Sequence, residues 1–68
     1  MIQKDIELQT TLERISRFQK QVSHLRRVET DAVAYHLSAG GFLAEIDRMQ
    51  REVREYLSLH PSEMKAAG

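Results

Sequence analysis

The 68-residue chain contains no cysteine and no tryptophan, and it has only one proline and three glycines. Without cysteine, disulfides and thiolate metal ligands are excluded. Ten basic and ten acidic side chains cancel, so no net charge attracts the chain to nucleic acid or to an anionic membrane. The longest stretch without a charged residue covers residues 32–44, which is shorter than the ~20 residues that span a bilayer. We therefore expect a soluble, cytoplasmic protein with no membrane partner.

What the chain does contain is a helical spacing of apolar residues. Steps of three and four residues, which are typical of an α-helix, separate Leu8, Leu12, Ile15, Phe18, Val22, Leu25 and Val28. A second series runs through Phe42, Ile46, Met49, Val53 and Tyr56, with Leu43 and Leu57 beside it. The pattern predicts an all-α fold, an antiparallel two-helix hairpin within residues 1–61. We place helix one at about 4–29, helix two at about 39–60 and a frayed tail at 62–68.

Two adjacent glycines precede the second apolar series. Ser38 is the predicted N-cap of helix two, because its hydroxyl can accept from free amides at a helix start. Gly40 and Gly41 then lie in the first turn, where they either cradle a phosphate or turn the chain. A phosphate cradle usually includes a lysine and a preceding strand. Neither flanks this pair, so the pattern favours the turn, and no cofactor is predicted.

The two apolar stripes also predict association. A short connection between the two predicted helices would make them antiparallel, with facing residues whose numbers sum to about 71. Phe18 would then meet Val53, and Ile15 would meet Tyr56. Two helices alone leave much of their apolar surface in water. A two-fold homodimer that forms a four-helix bundle covers it, and a different protein partner would do so equally well. The predicted dimer or partner interface consists of Leu8, Leu12, Ile15, Phe18, Leu43, Ile46, Met49, Val53, Tyr56 and Leu57.

Charged residues suggest an alternative function. Residues 14–27 contain five basic side chains and no acid, which is typical either of a solvated face or of a surface that grips phosphates. The candidate nucleic-acid contacts are Arg14, Arg17, Lys20, Arg26 and Arg27. Acids of helix two stand three or four residues from arginines, a spacing that supports a helix. No catalytic residue is predicted, and the three histidines lack the spacing of a helical metal site.

The segment "FLAEIDRMQREVREYLSL" resembles the second helix of the helical hairpin that precedes the helix-turn-helix domain of some bacterial antitoxins. The matching residues are Leu43, Glu45, Ile46, Met49, Glu52, Val53 and Tyr56. Helix one, with "LERISRFQKQVSHL", is similar in layout. In that family the DNA-binding domain would begin after Pro61, whereas this sequence ends at residue 68. The resemblance therefore implies a partner-binding or dimerising module without DNA binding. We therefore expect a small non-enzymatic interaction module, with a small nucleic-acid-binding protein as the alternative.

Overall fold

The computed structural model describes residues 1–63 and shows two long helices packed against each other. Helix α1 covers Asp5–Val28 and helix α2 covers Ala32–Leu57. Asp5 and Glu7 lie in the first turn of α1, where their charge favours the helix dipole. The all-α hairpin that the apolar spacing predicts is confirmed. The predicted frayed tail at 62–68 lies mostly outside the described residues, since 64–68 are not among them.

The start of the second helix differs from the prediction. Helix α2 begins at Ala32 rather than at about residue 39, and its N-cap is Asp31 rather than Ser38. The Asp31 carboxylate accepts a hydrogen bond from the Ala34 N–H at 3.3 Å, which satisfies one of the free amides of the first turn. The connection that the predicted bounds leave between the helices, residues 30–38, is therefore wrong, and only residues 29–31 link the helices.

Gly40 and Gly41 accordingly lie inside α2 and do not form a turn. No residue of the described chain has a positive φ angle, so neither glycine is required by its backbone conformation. A Cβ atom added at either position would meet no neighbouring atom within 4 Å. Both glycines thus carry the entropic cost of glycine in a helix without a close approach that requires them.

Replacing either glycine by alanine is expected to stabilise the hairpin. Gly40→Ala and Gly41→Ala should each raise the free energy of unfolding by about 0.5–1 kcal/mol, because alanine loses less backbone entropy in a helix. The measurement is thermal unfolding followed by circular dichroism. Ala44→Gly, at an exposed position of the same helix, is the reverse control and should lower Tm. A lower Tm in the alanine variants would show that the glycines have a structural role.

The short link also changes which residues face each other. The rings of Phe18 and Phe42 meet edge to face, with centroids 5.4 Å apart. The Tyr56 hydroxyl donates to Asp5 Oδ1 at 2.6 Å. Facing residues therefore have numbers that sum to about 60, and the predicted pairs of Phe18 with Val53 and Ile15 with Tyr56 are wrong. The error follows from the predicted connection, since a shorter link slides α2 along α1.

The core of the hairpin is small. Ile15, Ile46 and Met49 form a buried cluster. Phe18, Val22 and Val53 pack against this cluster. Three further buried apolar side chains are Ile2, Leu8 and Ala39. Ile2 precedes α1, so the first residues of the chain fold back over the helix pair. A core of this size leaves a large part of the apolar surface of both helices in contact with water.

Candidate interaction surface

The residues predicted to form an interface fall into three groups in the structure. Four are buried within the hairpin itself: Leu8, Ile15, Ile46 and Met49. Phe18, Val53 and Tyr56 are half-buried. The exposed group consists of Leu12, Leu43 and Leu57, whose exposed fractions are 41%, 44% and 63%. Within the predicted set, the surface left for a partner is therefore these three leucines, which we call the leucine flank.

Helix geometry places these leucines on one side of the hairpin. Leu12 lies three residues before the core residue Ile15, which corresponds to a rotation of about 60° from the core direction at 100° per residue. Leu43 stands in the same relation to Ile46. Because the two helices face each other and run in opposite directions, equal rotations lead to the same flank. Leu57, the last residue of α2, is rotated by about 20° from the direction of Ile46, in the same sense as Leu43.

The opposite flank is polar. Arg48 Nε donates to Glu45 Oε2 at 2.9 Å, and its guanidinium also pairs with Glu52. The hydrogen bond and the charge of Glu45 raise the pKa of Arg48 above its usual value, and the charge of Glu52 adds to this. An open groove of about 390 Å³ lies beside this network, and its lining includes Ile2 and Arg14. Glu45 and Glu52 are thus already paired with Arg48, so this charged network has less need of a second protein than the leucine flank.

The Tyr56 side chain ties the end of α2 to the start of α1. Its hydrogen bond to Asp5 raises the pKa of the Tyr56 hydroxyl, with desolvation and the charges of Asp5 and Glu7 contributing in the same direction. The neutral hydroxyl is the donor, so the contact stabilises the fold below the ordinary tyrosine pKa and is lost as pH rises through the raised value. Tyr56, assigned to the predicted interface, thus already has an intramolecular partner.

Further exposed apolar side chains lie outside the predicted set. Val28, Val33 and Leu37 cluster in sequence near the link between the helices. Leu37 is 79% exposed. For Val33 and Leu37 the sequence signal was the uncharged stretch at 32–44, since a helix with few polar residues must expose some apolar side chains to water. Because the predicted helix bounds left residues 30–38 as a connection, the prediction did not assign Val33 and Leu37 to a helix face.

The five candidate nucleic-acid contacts are all exposed. Among residues 1–63, none of them takes part in an ion pair. They do not form one face: at 100° per residue, Arg14, Arg17, Lys20 and Arg27 fall within about 140° of the helix circumference, and Arg26 lies about 100° further round, so that the five together spread over about 240°. All five residues therefore lie in one half of the hairpin, but they do not line one common groove: Arg14, Arg17, Lys20, Arg26 and Arg27.

The histidines do not converge. His60 Nδ1 lies 2.9 Å from Ser62 Oγ, beyond the end of α2. His24 belongs to α1 and His36 to α2. In the part of the chain that the structure describes, no group of three or more His, Cys, Asp or Glu side chains is placed to hold a metal ion.

Comparison with known proteins finds no matching family model, no matching curated protein and no matching solved structure. Neither helix of the described residues is sufficiently apolar over the length needed to cross a bilayer. The feature of the structure that bears on function is thus its surface, a two-helix hairpin with one polar flank and one flank of exposed leucines.

Proposed function

We propose that this chain is a small, non-enzymatic interaction module that forms a homodimer through the leucine flank. The observation that carries the proposal is the exposure of Leu12, Leu43 and Leu57 on one side of a hairpin with a small core. Complete burial of a leucine side chain contributes about 1.5–3 kcal/mol. A second hairpin on this flank supplies that burial and produces a four-helix bundle.

An antitoxin-like role is the specific form of this proposal. The resemblance of α2 to antitoxin hairpins supports it, and so does the helical hairpin itself. In this role the module binds and neutralises or scaffolds a partner protein, with homodimerisation as the basal state. A small toxin encoded beside this chain is the expected partner, and co-purification of the two proteins tests this form.

Dimerisation is tested by sedimentation equilibrium at micromolar concentration. The wild-type chain should be dimeric, and Leu43→Ala should weaken the dimer. Leu43 is 44% exposed in the single hairpin, so burying the rest of its side chain gains about 1 kcal/mol in each copy. Losing this from both copies should raise Kd roughly thirtyfold, at 1.4 kcal/mol for each factor of ten.

The matched control is Leu37→Ala, which removes the same atoms from an exposed position away from the leucine flank. It should leave Kd nearly unchanged, and circular dichroism should show full helicity in both variants. A strictly monomeric, fully helical wild-type chain would contradict the proposal. If Leu37→Ala raised Kd more than Leu43→Ala did, the interface would lie on the outer face of α2 instead.

A second candidate function is nucleic-acid binding by the basic residues of α1, which are exposed and lack ion-pair partners within residues 1–63. Because the five charges are spread over about 240° of the helix circumference, we expect only weak binding to duplex DNA or RNA, with Kd of about 10⁻⁴ M or weaker at physiological salt. Fluorescence anisotropy across a salt series measures it. Micromolar binding that is lost in Arg26→Ala/Arg27→Ala but kept in Arg51→Ala/Arg54→Ala would favour this function instead.

A further inference from the structure

Charge is unevenly distributed along the hairpin. The contact between Phe18 and Phe42 sets residues 14–28 of α1 beside residues 32–44 of α2. We call residues 14–44 the turn half, and residues 1–13 with 45–63 the open half. The turn half contains five basic and two acidic side chains, a net charge of +3. The open half contains four basic and eight acidic side chains, a net charge of −4.

The excess charges of the turn half have no partners within the hairpin. Every ion pair among the described residues lies in the open half, and these pairs join Arg48 to Glu45 and to Glu52 and the amino group of Met1 to Glu52. The turn half therefore presents unpaired positive charge, while the open half has an excess of carboxylates. A partner that complements both must carry the same two charges in the opposite order along its length.

A second copy of this chain has that property, and its size is sufficient. Helix α2 has 26 residues, so the paired helices extend about 40 Å at 1.5 Å per residue. The hairpin is 16 Å wide, which gives a flank of about 640 Å² in projection. Two copies together would bury about 1,300 Å², which lies within the roughly 1,200–2,000 Å² of stable interfaces.

We infer that two copies pair antiparallel across the leucine flank, so that the turn half of each lies on the open half of the other. The inference rests on the proposed homodimer and specifies its orientation. A parallel pair would set +3 against +3 and −4 against −4 at an interhelical distance of about 8–10 Å, which is comparable to the Debye length at physiological salt. The antiparallel pair replaces this repulsion with attraction. Leu43, near the middle of the hairpin, then meets Leu43 of the second copy.

Spin-label distances test the orientation, and the absence of native cysteine allows single labels. The first label is placed at Thr30→Cys in the link, and the second at Ser16→Cys, an exposed position near the middle of α1 on the side of Leu12. In an antiparallel dimer the two Thr30 labels should be about 40 Å apart, the length of the paired helices. The two Ser16 labels should be roughly 10–20 Å apart in either orientation, because they lie near the midpoint of adjacent hairpins.

The two labels separate failure of the orientation from failure of the dimer. A short distance at both Thr30 and Ser16 would overturn the antiparallel arrangement while leaving the homodimer intact. No dipolar signal at either position would mean a monomer, and the proposed homodimer would fail with the inference. Salt provides an independent readout, since raising NaCl should weaken an antiparallel dimer and strengthen a parallel one.

Discussion

Ile46→Ala is expected to lower the free energy of unfolding by about 2–5 kcal/mol, since truncation removes buried atoms and leaves a cavity. Ile46 is only 5% exposed and belongs to the central cluster with Ile15 and Met49. A domain of this length has a total stability of roughly 3–10 kcal/mol. The variant should therefore lose a large part of its stability. Urea unfolding followed by circular dichroism at 222 nm measures the free energy of unfolding. Wild type and variant are compared at one protein concentration, because association shifts apparent stability.

Ile6→Ala is the matched control. It removes the same atoms from the other helix, at a position that is 71% exposed. Its stability should stay within about 0.5 kcal/mol of the wild type. If Ile6→Ala and Ile46→Ala lowered the free energy of unfolding equally, the small core would not be what holds the two helices together.

Helix α1 was predictable because all of its signals agree. Apolar residues from Leu8 to Val28 repeat at helical spacing, and acids at the start and arginines at the end match the helix dipole. The predicted range of about 4–29 accordingly agrees closely with Asp5–Val28. Here local preference and packing favour the same conformation, so the sequence pattern alone is sufficient.

Helix α2 was predictable only in its second half, because local preference and packing conflict in the first. Two adjacent glycines disfavour a helix by about 1 kcal/mol each, and they led to a predicted turn. Packing outweighs that cost, since Tyr35, Ala39 and Phe42 continue the spacing of Ile46 towards the start of the helix. A usable signal was Asp31, an N-capping residue type placed directly before this series. The error in facing pairs followed from the misplaced start.

The candidate surface was only partly predictable for a related reason. Apolar spacing identifies which side chains leave water, but it does not divide them between the core of one hairpin and the surface for a second. That division depends on the register. Leu12 and Leu43 remain exposed because they are rotated away from the α1–α2 contact, whereas Leu8 and Met49 are buried in it.

Ala39→Leu is expected to destabilise the hairpin by about 1–3 kcal/mol. Ala39 is completely buried, with 0% exposure, although it is among the smallest side chains of α2. It lies one turn before Phe42, whose ring meets Phe18 of α1. A leucine here adds three carbon atoms at a position with no exposed surface, where interiors are close-packed, so side chains must leave their preferred rotamers or the helices must separate. Thermal unfolding monitored by circular dichroism measures the effect as a fall in Tm.

Ala44→Leu makes the identical change at an exposed position five residues further along α2, and its stability should differ from the wild type by no more than about 0.5 kcal/mol. The pair also distinguishes the helix from the turn suggested by the glycines. In an open turn, Ala39 would accept a larger side chain as readily as Ala44. Equal Tm values for the two leucine variants would therefore contradict the close packing of α2 on α1 at Ala39, and with it the short link and the register that depend on this contact.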